Sequence, residues 1–202
     1  MINLLTQQFI EQHLSENVHD LALKTAPPGV DISMALQQIS ARQLLAKKVP
    51  SWAQNGQLRF PAHLTLEQCS SEETARYKAS LVSGNKMVDL TGGLGVDCYF
   101  LAQQFRSVYY VDNNPDLVKI VKHNFAILNS TIAVYNADAE VFLSQLSFVD
   151  VIYIDPARRD IKGEKTVFIQ DCTPDVSFLQ ETLLNKAQHV LIKLSPMLDI
   201  SL

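Results

Sequence analysis

The chain has 202 residues, of which 47% are hydrophobic and 19% are charged, and its formal net charge is −4. This composition is that of a soluble globular protein and excludes a disordered one. Because the balance is acidic, contact with nucleic acid would require a local basic patch. Three widely spaced cysteines without a C-x-x-C pair argue against a metal site. With no long apolar run and no basic leader, we expect a cytoplasmic protein without a membrane span.

Residues 1–65 have helical periodicity and predict a helical N-terminal region. Apolar residues recur at helical spacing over positions 2–14, and a second short helix is predicted over positions 16–24. Ser15 is the expected N-cap of this second helix. After the break at "PPG", Asp31 is expected to cap a third helix that ends before "VPSW".

Residues 66–202 form the second predicted region, in which strands and helices alternate. It opens with a helix in "SSEETARYKASLV", where Ser70 and Glu73 fit a capping box and Gly84 closes the helix. The predicted strands are residues 86–90, 108–111, 132–135, 149–154 and 190–194. The predicted helices between these strands are residues 96–105, 115–128, 139–145 and 175–186. Apolar strands separated by helices predict an α/β fold with a doubly wound, Rossmann-like parallel sheet.

A glycine-rich loop follows the first predicted strand, in the stretch "MVDLTGGLGVD". Gly92, Gly93 and Gly95 allow a ligand to approach the backbone closely, and the helix that follows offers free N–H groups. The same glycines also suit a tight strand-to-helix turn that binds nothing. The loop alone therefore leaves the ligand open.

Carboxylates at four consecutive strand ends narrow the choice of ligand. Asp89, Asp112, Asp138 and Asp155 each lie where a predicted strand ends. Since the carboxyl ends of parallel strands meet at one edge of a sheet, we expect these side chains to line one cleft. Such a cleft suits a nucleoside with a cationic centre and repels a pyrophosphate. Cys98 stands where a dinucleotide-binding fold has its third glycine, which also weighs against a nicotinamide cofactor.

The order of these motifs resembles that of class I S-adenosylmethionine-dependent methyltransferases, with Thr91 in place of the first glycine of the motif. The resemblance implies S-adenosyl-L-methionine as cofactor. It places Asp112 at the ribose hydroxyls, with Asn113 beside the adenine and Asp138 at the adenine amine. The cofactor-binding residues that the resemblance implies are Asp89, Thr91, Gly92, Gly93, Gly95, Asp112, Asn113, Asp138, Ala139 and Asp155.

A closer resemblance concerns residues 66–195. The stretches "LTLEQCSSEETARYKA", "DLTGGLGVD", "YIDPARRD" and "IKLSPMLDI" resemble bacterial methyltransferases that carry a THUMP-like C-terminal domain. "SSEETARYKA" and "LVKIVKHNFAIL" are similar, more distantly, to trimethylguanosine-synthase-like RNA methyltransferases. Compared with these families, the chain is expected to lack the last strands of the core.

The stretch "DPAR" stands where amino-methyltransferases carry D/N-P-P-Y/F, which implies a catalytic role for Asp155 and Pro156. The Asp155 carboxylate or the Pro156 carbonyl can accept a hydrogen bond from the methyl acceptor and orient it. Ala157 and Arg158 replace the second proline and the aromatic residue of the family motif, so methylation of a base amine is in doubt.

A basic loop, "ARRDIKGEK", follows this motif, and Arg158 and Arg159 are expected to bind substrate phosphates. The sequence thus predicts a methyltransferase that acts on RNA, such as tRNA or rRNA, at a base or a ribose, with no metal. Three alternatives stay open: a methyltransferase for small molecules or proteins, a non-catalytic cofactor- or RNA-binding module, and a nicotinamide-dependent oxidoreductase.

Overall fold

The computed structural model describes residues 2–157 and 168–195, with the backbone only at residues 63 and 64. Its centre is a parallel sheet of five strands in the order β3-β2-β1-β4-β5. The strands are β1 (Gly84–Asp89), β2 (Phe105–Asp112), β3 (Ala133–Asn136), β4 (Val149–Ile154) and β5 (Ala187–Ile192). The chain reverses its direction of winding between the adjacent strands β1 and β4. In such sheets a crevice opens at this point, outside the carboxyl ends of the strands.

Helices precede the sheet and cover its faces. The helices before the sheet are α1 (Leu4–Gln12), α2 (Val18–Ala22), α3 (Ile32–Lys48), α4 (Pro50–Ala53), α5 (His63–Gln68) and α6 (Glu72–Ser80). Those between the strands are α7 (Val96–Leu101), α8 (Pro115–Ile127), α9 (Ala139–Gln145) and α10 (Val176–Lys186). In the part of the chain that the structure describes, none of these helices is long and apolar enough to cross a membrane.

Alternate residues of the strands pack on opposite faces of the sheet, as the pleat requires. Val88, Val111 and Ile152 lie in one apolar cluster with side chains of α9 and α10. Met87 and Tyr110 point to the other face and join a larger cluster that includes side chains of α3 and α8. Both faces are therefore covered, which explains why the strands are apolar almost throughout.

Two buried polar side chains hold the segment between α4 and α5 by its backbone. Gln38 of α3 both donates to and accepts from the backbone of Phe60, at 2.8 and 3.0 Å. Asn124 of α8 does the same for Arg59, at 2.8 and 2.9 Å. A third buried side chain, that of Arg42, donates to the carbonyls of four residues in this region, which are Ala53, Asn55, Gly56 and Leu58. These contacts attach the N-terminal helices to the sheet.

The predicted α/β fold with a parallel sheet is confirmed, whereas two of the predicted helix caps are wrong. Helix α2 begins after Asn17, whose side chain accepts the N–H groups of His19 and Asp20, and not after Ser15. Helix α6 is capped by Ser71. Its neighbour Ser70 is buried and bonded elsewhere, so it cannot serve as the cap.

Some predicted boundaries also differ. The helix after the glycine loop ends at Leu101 and continues only as a 3₁₀ turn to Gln104. Gly84 does not close a helix but begins β1, since α6 already ends at Ser80. Strand β5 begins at Ala187, earlier than predicted, because exposed polar residues at its start hide the apolar pattern. The boundary near residue 65 stays a prediction.

Candidate functional site

The glycine loop lies at the carboxyl end of β1, beside the crevice. The Gly92 N–H donates to the Val111 carbonyl at 2.9 Å, and the Gly95 N–H donates to the Gly92 carbonyl at 2.8 Å. The Gly93 N–H donates at 2.9 Å to Oδ2 of Asp112, which ends β2. The loop is thus fixed by backbone bonds to itself and to the neighbouring strand.

The three positions of the loop require glycine for different physical reasons. A Cβ atom on Gly92 would lie 2.0 Å from the Tyr110 ring, and one on Gly95 would lie 2.8 Å from the Phe125 ring. Gly93 has a positive φ of 53°, and a Cβ there would meet nothing closer than 3.8 Å. Gly92 is therefore required by packing and Gly95 by both packing and its own positive φ of 83°, while Gly93 has room for a Cβ atom.

Asp89 is the most unusual carboxylate of the site, because it is fully buried at the end of β1. Its Oδ1 accepts the Thr91 N–H at 3.0 Å. Its Oδ2 has no hydrogen-bond partner among the described residues. Burial raises the pKa of Asp89 well above its usual value, and the hydrogen bond from Thr91 opposes this only in part. A buried polar atom of this kind is costly unless a ligand satisfies it.

Asp112 connects the loops that follow β1, β2 and β3. Its carboxylate accepts the N–H groups of Gly93 and Asn114, and its carbonyl accepts the Ala137 N–H at 3.1 Å. Burial raises the pKa of Asp112, while the two N–H donors lower it. The structure thus brings Asp112 next to the glycine loop, as predicted. Asn113 is exposed beside it.

Asp138 and Ala139 lie at the start of α9, after β3. The exposed Asp138 side chain caps this helix by accepting the N–H groups of Glu140 and Val141. Ala139 is half-buried and packs against the apolar cluster beneath α9. The sequence therefore located Asp138 correctly at the edge, and a capping role explains its type without any ligand.

Asp155 lies on the other side of the crevice, where β4 ends. Its backbone N–H donates to the Thr91 hydroxyl at 2.6 Å, so Thr91 joins the loops after β1 and β4. Its Oδ2 lies 2.6 Å from Nζ of Lys193, the residue after β5. Burial raises the pKa of Asp155, and Lys193 opposes this rise. Pro156 is buried next to it, whereas Arg158 and Arg159 lie outside the described residues.

A buried polar network, which the sequence did not reveal, lies on the side of the sheet that packs α6 and α7. Lys78 forms an ion pair with Asp97, with 2.5 Å between Nζ and Oδ1. Lys78 also donates to Ser70 and to the Tyr153 hydroxyl, both at 2.9 Å. Ser70 and Tyr153 in turn donate to Asp97 Oδ2, both at 2.8 Å. These groups come from three separate elements, so no local motif could have indicated their contact.

Within residues 2–157 and 168–195, no group of three or more His, Cys, Asp or Glu side chains could hold a metal ion.

No protein-family model matches the sequence, and no curated protein matches it. Among solved structures, the chain is similar to a putative methyltransferase from Porphyromonas gingivalis W83, at 32% identity and a TM-score of 0.79. This match covers 97% of the chain and 49% of that protein. The chain thus spans about half the length of this similar protein, and the likeness includes the N-terminal helices as well as the sheet.

Two other solved structures resemble the chain more distantly. One is precorrin 8W decarboxylase from Methanobacterium thermoautotrophicum, at 14% identity and a TM-score of 0.48, covering 70% of the chain and 69% of that protein. The other is a SAM-dependent methyltransferase from Agrobacterium tumefaciens, at 23% identity and a TM-score of 0.44, covering 69% of the chain and 45% of that protein.

Proposed function

We propose that this chain is an S-adenosylmethionine-dependent methyltransferase that acts on RNA. The observation that carries the proposal is the buried Oδ2 of Asp89, which has no partner in the described part of the chain, at the end of a central strand. It lies beside a loop in which Gly93 faces open space. The similarity to a putative methyltransferase from Porphyromonas gingivalis W83 supports the same conclusion.

The residues at the carboxyl ends of β1, β2 and β3 fit the cofactor. Asp89 offers an acceptor for the methionyl ammonium, with Thr91, Gly92, Gly93 and Gly95 forming the loop around that part. The acceptors beyond β2 and β3 suit the ribose hydroxyls and the adenine, and they come from Asp112, Asn113, Asp138 and Ala139.

The charge of the crevice favours a cationic cofactor over a dinucleotide. The charges of Asp97 and Asp155 raise the pKa of Asp89 further, and that of Lys78 lowers it, so these groups act on Asp89 electrostatically. With Lys193 included, three carboxylates and two ammonium groups carry a formal charge of about −1 when all are ionised. A sulfonium compound complements this charge, whereas a pyrophosphate would be repelled.

Bound S-adenosylmethionine supplies a methyl group on a positively charged sulfur. The chain's own contribution is to hold the acceptor in line with that methyl group and to accept its proton. Asp155 has the position for this role, because Thr91 ties its backbone to the glycine loop. Pro156 completes the catalytic pair by presenting its carbonyl next to Asp155.

RNA is proposed as the substrate because of the basic loop that follows Asp155. Four cations and two acidic residues lie in positions 157–165, in a chain whose net charge is −4. Arg158 and Arg159 would bind backbone phosphates and so position the acceptor nucleotide of a tRNA or rRNA.

Isothermal titration calorimetry with S-adenosylmethionine, S-adenosylhomocysteine and NAD tests the cofactor. We expect both sulfur compounds to bind and NAD not to bind. Asp112→Ala should weaken binding by about tenfold to a hundredfold, because hydrogen bonds to a charged group contribute about 1.5–3 kcal/mol. The matched control is Asp116→Ala, whose carboxylate is 85% exposed on α8 and should not matter. Binding of NAD alone would refute the proposal.

Transfer of a tritiated methyl group to total RNA or total protein tests the substrate. We expect label in RNA, with Arg158→Ala lowering RNA turnover while the affinity for S-adenosylmethionine stays the same. Label in protein alone would refute the RNA assignment and leave the cofactor assignment intact.

A further inference from the structure

Asp155 forms an ion pair with Lys193, and the proposed function assigns a role to Asp155 but none to Lys193. The Lys193 N–H donates to the Ile154 carbonyl at 2.9 Å, so the pairing of β5 with β4 continues one residue past the strand. This places Lys193 beside Asp155 at the carboxyl edge of the sheet. Both side chains are 30% exposed, so the pair is accessible from the crevice.

We propose that the Asp155–Lys193 pair selects a hydroxyl group, namely the ribose 2′-hydroxyl of RNA, as the methyl acceptor. The inference rests on the proposed function and adds the class of acceptor atom to it.

Lys193 is the cation of this cluster that an acceptor can reach. The other lysine, Lys78, is only 8% exposed, and its ammonium is already bonded to Asp97, Ser70 and Tyr153. Among the described residues, the Lys193 ammonium donates to the Asp155 carboxylate, and the opposite oxygen of that carboxylate, Oδ1, has no hydrogen bond there. The pair therefore offers an acceptor and a cation side by side.

A cation next to the acceptor favours oxygen over nitrogen. A neutral amine gains positive charge as its bond to the methyl carbon forms, and an adjacent ammonium opposes this change. A hydroxyl oxygen gains negative charge as its proton leaves, and an adjacent ammonium stabilises that charge. An acceptor hydroxyl can donate its proton to Asp155 while its oxygen lies next to Lys193.

The balance of the step is simple. The oxygen–carbon bond forms, the sulfur–carbon bond breaks, and its electron pair stays on the sulfur, which becomes a neutral thioether. The hydroxyl proton passes to the Asp155 carboxylate and from there to water, since this side chain is partly exposed.

The residues that follow Asp155 also favour a hydroxyl acceptor over a base. An enzyme that modifies a base holds it by stacking it between aromatic or apolar side chains. Here Arg158 stands where the D/N-P-P-Y/F motif has its aromatic residue. The motif therefore provides no aromatic ring for a base, whereas a ribose hydroxyl requires none. The 2′-hydroxyl is the RNA group with the required chemistry.

The test is the identity of the methylated nucleoside. Total RNA is labelled with the full chain and S-adenosylmethionine, digested to nucleosides and analysed by mass spectrometry, after calorimetry has established cofactor binding. We expect 2′-O-methyl nucleosides. If the cofactor binds but the methyl group is not on ribose oxygen, the inference is overturned. If S-adenosylmethionine does not bind, the proposed function itself fails.

Variants of Lys193 test its role as a positioning and charge-stabilising residue. Lys193→Met should lower the rate of methyl transfer by roughly 10²-fold, the loss typical of one charge-stabilising donor, without changing the affinity for S-adenosylmethionine. Lys193→Arg keeps the charge and should recover most of that rate. The control Lys119→Met removes an exposed Lys–Asp pair on α8 and should leave the rate unchanged. Equal losses in the Met and Arg variants would overturn the inference.

Discussion

The two sides of the crevice are held together in different ways. On the side of β1, β2 and β3, the carboxylates of Asp112 and Asp138 bind backbone N–H groups of their own or adjacent loops. On the side of β4 and β5, Asp155 binds a lysine side chain that is 38 residues away. Backbone donors are fixed by the fold, whereas a lysine ammonium is flexible and can change partner. The difference suits a rigid cofactor site next to an acceptor site that must exchange substrates.

The network of Lys78, Asp97, Ser70 and Tyr153 joins these two sides. Asp97 belongs to the helix that begins at the glycine loop, and Tyr153 lies on β4 two residues before Asp155. Lys78 pairs with the first and donates to the second. Breaking this network should therefore affect both sides at once.

Lys78→Met should have the largest effect on stability. Removal of one partner from a buried ion pair leaves the other charge uncompensated, at a cost of about 3–5 kcal/mol. We expect a loss of this size in the free energy of unfolding, measured with urea. Ser70→Ala removes only a neutral hydroxyl from the same network and should cost about 1 kcal/mol. A loss below that of Ser70→Ala for Lys78→Met would show that the ion pair with Asp97 does not stabilise the folded state.

Substitutions of the adjacent Gly92 and Gly93 separate the effect of packing from the effect of cofactor binding. Gly92→Ala would place a methyl group 2.0 Å from the Tyr110 ring, which is a steric clash. We therefore expect a loss of about 3 kcal/mol in the free energy of unfolding, the upper end for overpacking. Gly93→Ala meets open space and should cost only about 1–2 kcal/mol, because of its positive φ. Urea unfolding measures both losses.

Cofactor binding should reverse the importance of these glycines. Gly93→Ala directs its methyl group into the space where we place the cofactor, so calorimetry should show a weaker affinity for S-adenosylmethionine in the folded variant. An unchanged affinity would mean that Gly93 serves the turn alone.

The sequence placed the residues on the side of β1, β2 and β3 better than those on the side of β4 and β5, because the former make contacts closer along the chain. Asp112 ends β2 and Asp138 lies two residues after β3, and the bonds that Asp138 makes reach only two or three residues along the chain. The local sequence pattern was therefore sufficient to place these two residues at the edge of the sheet. Lys78 and Asp97 meet only when α6 packs against α7, and Lys193 meets Asp155 only when β5 pairs with β4.

Even local patterns failed where tertiary contacts compete for a residue. Ser70 matched a capping box, but its hydroxyl is taken by Asp97 and Lys78, so the cap falls to Ser71. Gly92 was predicted to bind a ligand, and the Tyr110 ring also requires a glycine there for packing, which the sequence did not indicate. No spacing rule in the sequence distinguishes such cases.

Asp89→Asn should have the smallest effect, and its sign depends on pH. Since burial raises the pKa of Asp89 in the folded state, the folded protein binds this proton more tightly than the unfolded chain does. The contribution of Asp89 to stability is therefore fully present below its usual pKa of 3.8 and is lost as the pH rises through the raised, folded pKa. Asparagine keeps an oxygen for the Thr91 N–H and does not titrate.

Urea unfolding of the wild type and Asp89→Asn at pH 4.5 and 7.5 measures this contribution. We expect the variant to gain stability relative to the wild type as the pH rises, while calorimetry at neutral pH shows a weaker affinity for S-adenosylmethionine. Such a pair of results would mean that the cofactor side retains a destabilising carboxylate because a ligand needs it. A stability difference that is independent of pH would show that folding does not raise the pKa of Asp89, and an unchanged affinity would remove it from the cofactor site.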